Sequence, residues 1–100
     1  MFLVIVDYVK PLEEVERHLD AHRDYLESLR IGNRFLAAGP QEPRTGGVYM
    51  LADMPRAEAQ AIIDADPFRL HGIAGYRLIE FHPNRTVDDT LLDYLTRSAR

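Results

Sequence analysis

The sequence predicts an α+β domain in which two helices cover one face of a four-stranded antiparallel sheet. Two observations carry this. Apolar runs rich in Val, Ile, Leu and aromatic residues alternate with two helical patterns in the order β-α-β-β-α-β, the split βαβ or ferredoxin-like arrangement. Each run is closed by Pro or Gly at the spacing a small domain needs, and 100 residues suit one such domain.

Met1 to Val9 reads as the first strand, with Phe2, Val4, Val6 and Tyr8 on one face and Leu3, Ile5 and Val9 on the other. Lys10-Pro11 ends it and opens a helix, since Pro suits the first helical position. Glu13 and Glu14 put negative charge in the first turn, where the helix dipole favours it. Leu12, Val15, Leu19, His22, Leu26 and Leu29 recur at spacings of three and four, so the spacing predicts one helix from Pro11 to Ile31 with Gly32 as its C′ residue. Arg34 to Gly39 is a short second strand ended by Pro40. Gly47 to Ala52 is a third, again apolar on both faces. Pro55 stands near the start of an Ala- and Ile-rich second helix. Asp66-Pro67 then reads as an N-cap followed by Pro, opening a brief turn through Leu70 that Gly72 breaks. Gly75 to His82 is the fourth strand, ended by Pro83.

A helix is expected over Val87 to Arg97, with Thr86 and Asp89 resembling a capping box and Leu91, Leu92 and Leu95 as its apolar side. The expected division is a domain over residues 1–83 and a helical extension over 84–100. Two helices cover only one face of the sheet, yet the first and third strands are apolar on both. An uncovered face of that kind is avoided by monomers in water. Packing against a second copy in a homodimer is the expected solution, with the tail helix folded over that face as the alternative.

Composition excludes several functions. There is no Cys, which removes disulfides, thiol nucleophiles and Cys-type metal sites. A formal net charge of −4 does not attract phosphate backbones, so nucleic acid is not an expected partner. The longest apolar run, Met1 to Val6, is far too short to span a bilayer, so no membrane partner is expected. It also lacks a basic n-region and a cleavage site. The expectation is a soluble cytoplasmic protein.

His22 is the most informative side chain. Its place between Leu19 and Leu26 turns it toward the sheet, where an imidazole needs a hydrogen-bond partner. A structural histidine held by a backbone carbonyl satisfies this as well as a functional one does. Asp66 is accounted for as a helix cap, but capping uses one carboxylate oxygen and leaves another free to accept from an imidazole. His18 and His22 are four apart, so both reach one metal ion in principle. HLDAH is nevertheless not a metalloprotease motif and shows no third ligand, so no metal is expected. His71 is read as a loop residue and His82 as an exposed strand end. Arg34 and Arg44 flank Gly39-Pro40; either suits an anionic substrate, and a solvated loop arginine is the plainer reading of both. The five tyrosines are read as core or interface aromatics.

Taken in order, these residues resemble the YCII-related (YciI-like) family. The matching features are the opening strand, His22-x-x-Tyr25-Leu26-x-x-Leu29, and Gly32 before Phe35-Leu36-Ala37-Ala38-Gly39-Pro40. The Gly47 strand, the Ala-rich helix, Asp66-Pro67-Phe68 with Gly72, and Phe81 closing the fourth strand follow. The resemblance implies a ferredoxin-like domain that pairs into a dimeric α/β barrel similar to muconolactone isomerase. It also implies a His–Asp active-site pair, here His22 and Asp66. Gly39 and Pro40, with Arg44 beside them, are the residues expected at the substrate. Some relatives of this kind are dehydrochlorinases of chlorinated hydroxyquinols. The implied activity is cofactor-free proton transfer on a small cyclic or aromatic-derived molecule, of isomerase or lyase type. The alternative is a non-catalytic dimer that binds a metabolite or a protein. The segment after His82 departs from the pattern, and so does His71, which stands where a small residue is expected.

Overall fold

In a computed structural model, residues 1–96 are described. The strands are β1 (Phe2–Tyr8), β2 (Phe35–Pro40), β3 (Gly46–Leu51) and β4 (Ala74–Glu80). They form one sheet in the order β2-β3-β1-β4, antiparallel throughout. This is the ferredoxin-like arrangement. The helices are α1 (Leu12–Arg17), α2 (Leu19–Ile31), α3 (Arg56–Asp64), α4 (Pro67–Leu70) and α5 (Asp89–Thr96).

The pleat of β1 sorts its side chains as the alternation requires. Phe2, Val4 and Val6 are buried, while Leu3 and Ile5 on the opposite face are half-covered. Tyr49 and Leu51 of β3 stand opposite Val4 and Phe2 and share the buried face. Val15, Leu29, Ala59, Ile62, Ile63 and Phe68 from the helices complete the core on that side. A bulge in β2 between Phe35 and Ala37 lets both Phe35 and Leu36 pack against this core, which strict alternation would forbid. At the β1–β3 crossing, a Cβ on Gly46 would stand 1.7 Å from the Val6 carbonyl oxygen, so only glycine fits.

Four local features differ from the sequence reading. The first helix is two, broken at His18 (φ −111°, ψ 4°), whose N–H bonds to Val15 O in a tightened turn while its carbonyl accepts His22 N–H. The apolar spacing continues across the break, so periodicity does not register it. The His18 ring there stacks on His71, centroids 4.3 Å apart. Leu12, counted in the buried series, is exposed. At the end of α2 the left-handed residue is Asn33 (φ 57°), not Gly32. Arg34 N–H then bonds to Leu29 O and Asn33 N–H to Arg30 O, a Schellman closure. Gly72 (φ 65°) closes α4 in the same way, with Ile73 N–H to Phe68 O and Gly72 N–H to Arg69 O. Finally, the tail helix starts at Asp89 and its cap is Asp88, whose Oδ1 accepts Leu91 N–H at 2.8 Å. Thr86 instead donates to the Asp88 carbonyl. The helix is described as far as Thr96; its expected end at Arg97 lies outside the described residues. No α5 residue is buried. Among the described residues no helix is long and apolar enough to cross a membrane.

Candidate active site

Asp66 is placed by the short α4. Its carbonyl accepts Arg69 N–H and Leu70 N–H, Pro67 occupies the first helical position, and Oδ1 accepts Phe68 N–H at 3.0 Å. The capping role read from Asp66-Pro67 is therefore present. The residue is fully buried. The same Oδ1 lies 2.8 Å from His22 Nδ1. A carboxylate there selects the tautomer of the neutral imidazole in which Nδ1 carries the proton and donates it, leaving the lone pair on Nε2. The His22 ring is further held flat on Phe68, with centroids 4.0 Å apart and planes 5° from parallel. Tyr8 meets Phe68 edge-on at 5.8 Å.

His22 stands on the wall of a cavity of about 270 Å³ between α2 and the β2–β3 end of the sheet. Gly39, Pro40 and Arg44 line the same cavity, so four of the five site residues expected from sequence share one space. Asp66, the fifth, sits behind the imidazole and does not reach the wall. Arg34 is elsewhere, paired with Glu58 at 2.7 Å. His71 is an exposed residue against His18 rather than a cavity residue. Arg44 is 3.5 Å from Glu16 at the surface.

Sequence reasoning missed Arg23, which lines the cavity beside His22. It is the next residue on the helix, one step off the apolar stripe, and nothing in the spacing sets it apart from other solvated arginines. Among the described residues, Arg23 and Arg44 are the fully charged groups on the wall, and no carboxylate lines it.

Three tyrosines gather around Asp66. Burial pushes the Tyr49 and Tyr76 phenols far above their ordinary value, and the charge of Asp66 adds to it. Tyr25 is raised by the same two causes, with Arg34 opposing, and donates to Ile62 O at 2.7 Å. These phenols stay neutral in the fold at a pH where the unfolded chain would ionise them. A raised folded pKa contributes stability that is complete below the unfolded value of 10.0 and is lost as pH rises toward the folded values. Denaturant midpoints are therefore expected to fall between about pH 9 and about pH 11. The fall should be smaller in Tyr49→Phe/Tyr76→Phe, as urea titrations followed by circular dichroism would record. An equal fall in both proteins would contradict it.

A ferredoxin-like α+β protein with a buried carboxylate backing a histidine at a small, mostly apolar cavity is the class this geometry defines. The chain belongs to the YCII-related domain family, which matches residues 1–82. Among solved structures it is similar to 5-chloro-2-hydroxyhydroquinone dehydrochlorinase (TftG) from Burkholderia phenoliruptrix AC1100, in complex with 2,5-dihydroxybenzoquinone. That likeness has a TM-score of 0.68 at 20% identity over 81% of this chain and 93% of that one, which establishes a shared fold. Comparison with curated protein sequences gives no significant match.

Proposed function

We propose that this protein is a cofactor-free enzyme of proton transfer, of isomerase or dehydrochlorinase type, acting on a small cyclic or aromatic-derived molecule. The observation that carries it is the His22 Nδ1–Asp66 Oδ1 bond of 2.8 Å on the wall of the cavity. His22 Nε2 is the general base: it takes a proton from a carbon next to a carbonyl or from a phenolic hydroxyl. The electron pair stays on the substrate as an enolate or phenolate. Returning the proton at another carbon isomerises the substrate; collapse of the anion with loss of a halide gives elimination. Asp66 orients the ring and stabilises the imidazolium. Arg44, with Arg23, faces the developing anion, and Gly39 and Pro40 form an apolar floor. None of these steps calls for a metal or an organic cofactor. The likeness to a dehydrochlorinase supports the substrate class.

The proposed working form is a cytoplasmic homodimer. The helices cover one face of the sheet, and the other carries Leu3, Ile5, Val48, Met50 and Ile79. Ile79 and Phe81 remain exposed at its edge. Face-to-face packing of two copies removes these residues from water. Met50→Glu places a carboxylate in that interface, at a cost of several kcal/mol. The parent is expected to sediment as a dimer and Met50→Glu as a monomer; a monomeric parent rules this assembly out.

Function is tested by incubating the protein with chlorinated and plain hydroxyquinols and with lactones, following chloride release and absorbance. Turnover of one of these classes supports the enzyme. Thermal stabilisation by a compound without turnover points instead to a non-catalytic binding module.

A further inference from the structure

Asp66 is fully buried, and its second oxygen has no hydrogen-bond partner among the described residues. Oδ1 serves both His22 and the Phe68 N–H, so Oδ2 carries charge with nothing to receive it. Buried polar atoms are almost always paired, and an orphaned carboxylate oxygen asks which group faces it. Among the described residues, two buried hydroxyls near Asp66 are also without partners, those of Tyr49 and Tyr76. Tyr25 is not a candidate, because its hydroxyl is committed to the Ile62 carbonyl.

Tyr49 and Tyr76 differ in how they meet the carboxylate. Asp66 acts on Tyr49 through charge alone, and the Tyr49 side chain lines the cavity. On Tyr76 it acts through charge and also through a side-chain hydrogen-bond contact that falls short of ordinary bond geometry. Tyr76 is on β4, opposite Val6 of β1, and is not part of the cavity wall. It therefore approaches Asp66 from behind, away from where a substrate would sit.

We propose that Tyr76 is a positioning residue that donates its hydroxyl to Oδ2 of Asp66, making a buried Tyr76–Asp66–His22 relay. This rests on the His22–Asp66 pair proposed above. The Phe68 N–H already keeps Oδ1 in place beside His22, so the Tyr76 hydroxyl acts on the charge of the carboxylate and tunes the pair. A donor on Oδ2 draws charge from the carboxylate and moderates its pull on the Nδ1 proton. Tyr76 touches no substrate; it acts through Asp66.

The test is the His22 Nδ1–H resonance in proton and nitrogen NMR, which needs no substrate. Tyr76→Phe keeps the ring and the packing and removes only the hydroxyl. It is expected to move the Nδ1–H resonance downfield, because the carboxylate then pulls harder on that proton. A merely structural tyrosine would leave the resonance in place. Tyr49→Phe is the comparison and should shift it less. An unchanged or upfield resonance in Tyr76→Phe, or a larger downfield shift in Tyr49→Phe, overturns the relay while the His22–Asp66 pair stands. If the parent shows no Nδ1–H resonance that responds to Asp66→Asn, the pair itself fails and the relay falls with it.

Discussion

His22→Gln is expected to lower turnover by roughly 10²–10⁴-fold and leave the protein folded. Glutamine is the informative choice. Alanine would leave the fully buried Asp66 carboxylate facing empty space where the Nδ1–H had been, and the cost to stability would be mixed with the loss of the base. A glutamine amide still offers a donor but has no basic nitrogen. Asp66→Asn makes the complementary change. Asparagine caps α4 as well as aspartate does, so the turn that carries Phe68 survives. Its carbonyl oxygen takes the place of Oδ1 on the Phe68 N–H and on His22 Nδ1–H, but the neutral amide no longer stabilises the imidazolium that forms when the base takes a proton. Both variants should show native circular dichroism and little chloride release or absorbance change on a substrate the parent consumes. A fully active His22→Gln would end the general-base reading.

Phe68→Ala carries the largest expected effect on stability, a loss of about 3–5 kcal/mol. Phe68 is 1% exposed and lies at the centre of the site's support. One face of its ring meets His22 and its surroundings include the edge-on Tyr8. Its N–H is the one Asp66 caps. Domains of this size hold a margin of roughly 5–15 kcal/mol, so a cut of that size takes much of it. The melting temperature should drop by roughly 4–8 °C for each kcal/mol. Phe68→Leu fills most of the volume and is expected to lose far less, yet it removes the surface on which the imidazole lies flat. It should therefore separate stability from activity, with a near-parental melt and weaker turnover. A Phe68→Ala protein that melts within a few degrees of the parent would show that this ring does not hold α4 to the core.

Local rules explain why some of the site is legible in the chain. Asp66-Pro67 announces a cap because the cap bond spans only two residues, to Phe68 N–H. His22 announces an inward imidazole because helical spacing places it between Leu19 and Leu26, both of which do pack against the core. Pairing the two is another matter. They are 44 positions apart, and each has a sufficient structural explanation alone. Only the ordered resemblance to YCII-related proteins linked them in advance. Gly39, Pro40 and Arg44 were legible only as a Gly-Pro segment flanked by an arginine, and they line the same cavity as His22.

The sequence by itself determined the α+β class, the four strands, the helix layer on one face and the capping aspartate. All of these follow from periodicity and short-range hydrogen bonding, which any local window of residues contains. Only the tertiary structure decided that α2 begins anew at His18, that Asn33 and not Gly32 turns the chain, and that Leu12 stays in water. It alone buried Tyr49 and Tyr76, indistinguishable in the chain from other core aromatics, within reach of the charge of one carboxylate. It alone set Arg23 on the cavity wall and drew Arg34 away to Glu58. The reason is physical. Spacing along a chain fixes which face of an element a side chain leaves from, whereas the packing of elements distant in sequence fixes what it meets there.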